Sequence, residues 1–439
     1  MPFTTDLKTP RHANVPGLIQ FDEWQGNYAS RVDSMRTSAV RDLFAAASRS
    51  DIISLSGGMP DIARLPLAEV AEVAKNAVLA EGIAGLQYGD TTGRTQTKQV
   101  IVNLMRDNNI HITTSDVIVT TGAQQALDLL GKAFINKGDI IITEGPTYLG
   151  ALQAFSAYEP EIHTIPFDEH GMRTDLLAKK LATLCAGATS ANQKKPKFIY
   201  TIPTFQNPGG VTMSSDRRHE LLKLAHEYDI LVIEDDPYSR LRYSGEPQPA
   251  LRSLDNDVVY LGTVSKVFAP GLRTGWIIAP HPILKKINMV KQGTDLCGSA
   301  LNQVIVEHYF NDTPWQETLT KLCNKYHERR DAMLAALNEC FPPEATWTHP
   351  QGGFFVWVTL PEYMDADQML SVALEKGVTF VPGSGCYPAT SGKGKNAMRI
   401  AFCYEEPEKI QEAIQRLAAV IEDRLALYRA FIQAGAIQG

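Results

Sequence analysis

Short, mostly apolar runs punctuate the middle of the chain, at residues 117–120, 140–143, 162–165, 198–201, 230–233, 258–261 and 276–279. Most carry no internal polar alternation, the pattern of strands buried on both faces. Amphipathic segments lie between several of them, such as 214–228, where Leu221, Leu222, Leu224 and Ala225 form the apolar side. Strand and helix in alternation predict an α/β architecture: a mainly parallel, seven-stranded sheet with helices on both faces. We assign this pattern to a large unit, residues 51–310.

The rhythm differs at both ends. Residues 1–50 read as an arm and then a helix, with Val40, Leu43, Phe44 and Ala47 on one face; Ser56-Gly57-Gly58-Met59-Pro60 breaks the pattern soon after. Beyond about residue 315 the pattern predicts a long helix (315–340), an aromatic strand (353–359), a helix (366–375), short strands (379–381 and 398–402) and a final helix (407–428). Fewer strands without alternation predict a separate, smaller α+β unit, residues 311–439, which the N-terminal arm is expected to join.

Composition narrows the classes of function. A chain of 439 residues with 44% hydrophobic content has ample core, and a net charge of −7 offers no basic stripe for nucleic acid. Cys185, Cys297, Cys323, Cys340, Cys386 and Cys403 are scattered without a C-x-x-C pair, as in a reducing compartment. The first 25 residues hold no continuous apolar segment, and no 18-residue apolar run occurs. We therefore expect a cytoplasmic protein with no membrane or nucleic-acid partner. No internal repeat or low-complexity segment is present.

The chemistry collects just beyond the predicted strands, where open α/β sheets bind ligands. After 117–120 comes Thr121-Gly122-Ala123-Gln124-Gln125, opening a helix whose first amides suit an anion, although a plain strand-to-helix turn reads the same way. After 198–201 comes Pro203-Thr204-Phe205-Gln206-Asn207-Pro208-Gly209-Gly210, a turn whose Asn207 amide is a possible donor to a ligand. Glu234-Asp235-Asp236-Pro237-Tyr238 follows 230–233; its carboxylates read equally as metal ligands, solvated groups or structural caps. After 258–261 come Gly262-Thr263-Val264-Ser265-Lys266 and then Arg273-Thr274-Gly275-Trp276. A lysine held there, near cations and away from water, drops below its usual value of about 10.4 and becomes a usable amine for Schiff-base chemistry.

Taken together and in this order, G-A-Q, N-P-G-G, D-x-x-Y, T-x-S-K and R-T-G-W resemble the fold-type I pyridoxal-phosphate enzymes. The resemblance is to the class I aminotransferases, with an aspartate-aminotransferase-like fold, and is strongest to the 2-aminoadipate/kynurenine type. It spans residues 57–402. It implies that Lys266 is the Schiff-base lysine and that Asp235 pairs with the pyridinium nitrogen, Asp236 being a structural neighbour. Asn207 and Tyr238 would bond the ring's phenolic oxygen, and Tyr148 would stack on the ring. The phosphate would be held by Gly122, Ala123, Gln124, Thr263, Ser265 and Arg273. Ala123 departs from the hydroxyl residue common at its position, leaving only its amide. Arg399, in Met398-Arg399-Ile400, would grip the substrate α-carboxylate, with Asn207 and Gly58 beside it. Tyr88 would reach the phosphate of a neighbouring subunit in a homodimer. Arg31 and Arg36 are alternative partners for the far carboxylate of a dicarboxylic substrate.

The activity so implied is ping-pong transamination between an aromatic, branched aliphatic or 2-aminoadipate donor and a 2-oxo acid, 2-oxoglutarate first among them. A carbon-sulfur β-lyase would use the same cofactor residues. A pyridoxal-phosphate-sensing regulator would need a DNA-binding domain ahead of Ser54, for which the preceding residues are too few and insufficiently basic. His219-Glu220 starts like a zinc-protease helix, but no histidine stands at position 223, which is Lys. Gly392-Lys393-Gly394 lacks the spacing of a nucleotide-binding loop. No metal site is expected.

Overall fold

The structure, a computed structural model, describes residues 22, 24–35, 51–186 and 195–433. The helix expected around Val40, Leu43, Phe44 and Ala47 lies outside the described residues. The first nine described strands are β1 (Ile53–Ser54), β2 (Val117–Thr120), β3 (Ile140–Gly145), β4 (Glu161–Asp168), β5 (Gly171–Met172), β6 (Phe198–Thr201), β7 (Leu231–Asp236), β8 (Val259–Thr263) and β9 (Gly275–Ile278). Strands β2 to β9 form one eight-stranded sheet in the order β2-β9-β8-β7-β6-β3-β4-β5. Neighbours from β8 through β7, β6 and β3 to β4 are parallel; β9 runs against β2 and β8, and β5 against β4.

All seven expected strands are present, and the eighth corrects the count. It is β5, the two-residue return of a hairpin from β4, too short to carry a hydrophobic pattern of its own. Side chains alternate between the faces of the sheet as the strand period requires. Ile118, Tyr200, Ile233, Leu261 and Ile277 pack with Ala126, Leu130 and Phe155 from helices Gly122–Phe134 and Leu149–Ser156. Val117, Val119, Tyr260, Trp276 and Ile278 point the other way, into a cluster with Leu104, Val306 and Tyr309. Both faces are therefore covered, which is why these strands read as continuous apolar runs.

The remaining strands are β10 (Thr346–Trp347), β11 (Phe355–Thr359), β12 (Val378–Thr379), β13 (Val381–Pro382) and β14 (Ala397–Ala401). An antiparallel sheet in the order β10-β11-β14-β13 packs Val356, Val358 and Ile400 against Met333 and Leu337 of helix Trp315–Cys340, and Ile410, Ile414 and Leu417 of helix Pro407–Gln433. The strand expected at 379–381 divides between two sheets: β12 pairs in parallel with β1, and β13 with β14. β1 and β12 form a two-stranded sheet of their own, and Ile53 packs in the same core as Val356 and Ile400. We propose the division of the chain near residue 310, with β1 grouped with the smaller unit. Among the described residues no helix is long and apolar enough to cross a membrane.

Candidate active site

The strands β2, β3, β6, β7 and β8 end at one edge of the sheet, and each hands the chain to a turn bearing one or more expected site residues. Gly122 follows β2, Tyr148 follows β3, Asn207 follows β6, Tyr238 follows β7 and Lys266 follows β8. A strand order shared by all five makes the convergence a consequence of topology.

At β2 the backbone turns through Gly122, with φ at +74°, into helix Gly122–Phe134, whose cap Thr121 accepts no helix amide on its side chain. The first amides of the helix have no intrahelical acceptor. A Cβ built on Gly122 would lie 2.3 Å from Arg273 Nη2, so the guanidinium sits directly over this glycine. Arg273 itself is exposed, with Nη1 donating to Pro270 O at 3.1 Å. Thr263 Oγ1 lies 2.9 Å from Ser265 Oγ and accepts from the Ser265 amide. Open amides, two hydroxyls and an arginine fork so form a concave, cationic cradle, and Ala123 contributes its backbone alone. Gln124 turns its side-chain nitrogen to Gly150 O at 2.8 Å, linking two helix starts.

The three carboxylates that end β7 are all buried, which rejects the solvated reading, and each has a different occupation. Glu234 accepts from the amides of Leu251 and Arg252, capping a short helix; burial pushes its carboxyl up to about 7. Asp236 is filled on both oxygens, by the Ser239 amide at 3.0 Å and the Tyr260 phenol at 2.8 Å. Asp235 accepts from the Tyr200 phenol at 2.7 Å on Oδ2, but its buried Oδ1 has no hydrogen-bond partner. Burial raises its carboxyl to about 7, opposed by the Tyr200 bond and the Lys266 charge. No group of three or more His, Cys, Asp or Glu among the described residues is arranged to hold a metal.

The Ser56-Gly57-Gly58 turn supplies a row of carbonyls that the sequence did not reveal. Arg399 Nη2 donates to Ser56 O at 2.7 Å, Cys403 Sγ lies 3.6 Å from Gly57 O, and Lys266 Nζ donates to Gly58 O at 2.8 Å. Arg399 also donates to Asn207 Oδ1 at 3.1 Å and lies over the Phe355 ring at 4.2 Å, while its buried Nε has no partner. Asn207 completes the chain by donating to the Tyr238 phenol at 3.4 Å. The Lys266 amine is lowered to about 8, chiefly by burial; Arg399 and Arg273 add to the lowering, and Cys403 and Asp235 oppose it. Tyr148 caps helix Leu149–Ser156, half-buried, and the charges of Asp235, Arg399 and Arg273 all act on its phenol.

Two expected residues among those described, Tyr88 and Arg31, are not brought here. Tyr88 is 80% exposed. Arg31 lies on the short exposed helix Ser30–Ser34 and acts on Tyr158; Met35, after that helix, lines a cavity of about 480 Å³ with Leu149, Leu152 and Tyr387. Arg36 lies outside the described residues. Tyr200, Phe355 and Cys403 are the site residues the motifs missed. Each sits inside or directly after an apolar strand, where an aromatic or cysteine reads as core.

A buried carboxylate oxygen without a partner and a cationic cradle at a helix start fit a group carrying a ring N–H and a phosphate. The comparisons agree. The family model for aminotransferase class I and II matches residues 50–417. The aromatic-amino-acid aminotransferase 1 of Thermococcus litoralis is 44% identical over 92% of this chain and 96% of its own length. The 2-aminoadipate transaminase of Thermus thermophilus is 34% identical over 92% of this chain and 98% of its own. The kynurenine aminotransferase of Pyrococcus horikoshii, solved with PMP, is 42% identical over 92% of this chain and 98% of that one, with a TM-score of 0.86. The chain belongs to the class I and II aminotransferases. It is a pyridoxal-phosphate-dependent enzyme that transaminates amino acids.

Proposed function

We propose that the enzyme moves the amino group of an aromatic, branched aliphatic or 2-aminoadipate donor to 2-oxoglutarate, donor and acceptor occupying one site in turn. The observation that carries the placement of the reaction is the open Oδ1 of Asp235 at the sheet edge shared with the depressed amine of Lys266. When bound, pyridoxal phosphate supplies an aldehyde that exchanges amino groups and a ring that accepts electrons.

In this reading Lys266 would hold the aldehyde carbon, and its amine, once freed by the donor, would take the proton from the substrate Cα and return it to the former aldehyde carbon. The lowered amine favours that role, since a neutral nitrogen is the base. Asp235 keeps a proton on the ring nitrogen. Asn207 and Tyr238 direct donors at the ring's oxygen, and Tyr148 covers its face. The amides of Gly122, Ala123 and Gln124, with Thr263, Ser265 and Arg273, hold the phosphate. Arg399 binds the α-carboxylate by exchanging its bond to Ser56 O for the substrate, with Gly58 at its side. The Phe355 ring under its guanidinium keeps the fork flat toward that carboxylate.

Donor range is supported by the relatives, which include an aromatic-amino-acid, a 2-aminoadipate and a kynurenine aminotransferase. Arg31 and Arg36 are the two alternative partners for the far carboxylate of a dicarboxylate in this chain. The test is kcat/KM for glutamate, 2-aminoadipate, leucine and phenylalanine in wild type, Arg31→Ala and Arg36→Ala. A loss confined to the two dicarboxylates in one of the two variants supports the assignment; equal effects on all four donors in both variants remove it. We further propose a homodimer in which Tyr88 reaches the partner's phosphate site, supported by the exposed apolar surface around it, Leu79, Ile83 and Leu86.

A further inference from the structure

Strand β7 is flanked by β6 and β8, and each neighbour contributes one tyrosine to one of the two aspartates that end it. In the register, Tyr200 on β6 lies opposite Ile233, and Tyr260 on β8 lies opposite Glu234. Side chains alternate, so Ile233 and Asp235 share one face, and Glu234 and Asp236 the other. Each tyrosine thus stands diagonal to a carboxylate two residues further along, a separation a phenol spans. Tyr200 reaches Asp235 at 2.7 Å and Tyr260 reaches Asp236 at 2.8 Å.

The two pairs differ in what they leave over. Ser239 takes the second oxygen of Asp236, whereas the second oxygen of Asp235 has no partner. We propose that Tyr200 is a positioning residue for the transamination: by occupying Oδ2 it fixes the plane of the Asp235 carboxylate so that Oδ1 alone faces the ring nitrogen. The proposal rests on the reading of Asp235 given above. A carboxylate torsion is broad and two-fold, so an unanchored Asp235 would share its two oxygens among several orientations. A phenol bond to a charged acceptor also favours the ionised carboxylate, against a burial that disfavours it. The titratable groups that act on Asp235 are Tyr200 on β6, Asp236 on the other face of its own strand, Tyr238 just beyond that strand, Lys266 beyond β8 and Tyr148 ahead of helix Leu149–Ser156. Tyr200 is wholly buried with its ring edge-on to Phe155 at 5.5 Å, a contact that phenylalanine would keep.

The experiment compares Tyr200→Phe, Tyr260→Phe, Asp235→Asn and the double variant Tyr200→Phe/Asp235→Asn as holoenzymes. Tyr200→Phe should lower kcat roughly 10- to 100-fold, the size of one charge-assisted hydrogen bond, with the donor KM within about threefold of wild type. The acid limb of its kcat profile should move to higher pH, because the carboxylate protonates more readily without the phenol. Tyr260→Phe, the same deletion beside Asp236, should leave that profile in place. The double variant should be no slower than Asp235→Asn alone. An unshifted profile and wild-type kcat in Tyr200→Phe, beside a damaged Asp235→Asn, overturn the positioning role while keeping the Asp235 reading. Losses that add in the double variant overturn it as well. Wild-type rates in Asp235→Asn overturn the Asp235 reading itself, and this inference with it. Thermal midpoints of the four variants keep a folding defect apart from these outcomes.

Discussion

Lys266 and Arg399 rest on backbone carbonyls separated by a single residue, Gly58 O and Ser56 O. Lys266→Ala should abolish turnover with the fold intact, checked by activity and circular dichroism on the same sample. The depressed amine also gives a pH signature. A neutral amine attacks an aldehyde and its ammonium does not, so uptake of pyridoxal phosphate by the apo protein should rise with pH and level off above about 8. A rate still climbing near the usual lysine value of about 10.4 would contradict a buried amine. Asp235→Asn should slow Cα–H cleavage, read as a deuterium isotope effect on kcat, far more than Asp236→Asn, whose side chain caps a turn and faces the other side of the sheet. Lys266, Asp235, Asn207 and Tyr238 were legible in the sequence because each follows an apolar run by a few residues. Tyr200 was not: it lies within the run of β6, and nothing in a strand's sequence tells a core aromatic from one whose hydroxyl serves a neighbour.

At the scale of elements, the cradle depends on one glycine at a positive φ. Gly122→Ala would strain the backbone and set a methyl against the Arg273 guanidinium, where a Cβ has only 2.3 Å. Arg273→Ala removes the fork and keeps the turn. Each charge-assisted bond to a phosphate is worth about 1.5 to 3 kcal/mol, so Arg273→Ala should raise the cofactor Kd roughly 10- to 150-fold, and Gly122→Ala at least as much. Equilibrium dialysis against pyridoxal phosphate measures both; an unchanged Kd in Arg273→Ala would remove it from the phosphate site. The large strands were readable because burial on both faces leaves uninterrupted apolar runs. Strands β1, β5 and β10 were not, since two residues show no period, and the run expected at 379–381 gave no sign that its halves pair in different sheets.

For the whole molecule, the exposed Ile83, at 83% accessibility, and its neighbours Leu79 and Leu86 are apolar surface that a monomer would leave in water. Ile83→Glu should shift sedimentation toward the monomer and weaken cofactor retention with it, because Tyr88 would lose the neighbouring site. Dimers with unaltered cofactor affinity in both Ile83→Glu and Tyr88→Phe would refute the shared site. Nothing in the sequence alone joins these residues to a surface; helix Leu67–Glu81 and the turn after it do so only once folded. The most direct test of transamination is a half-reaction on purified holoenzyme. Mixed with excess L-phenylalanine and no oxo acid, it should release one equivalent of phenylpyruvate per site and stop, and 2-oxoglutarate should restart release with an equal yield of glutamate. Steady release of ammonia, or no 2-oxo acid from phenylalanine or from any other amino acid in the panel, would contradict it.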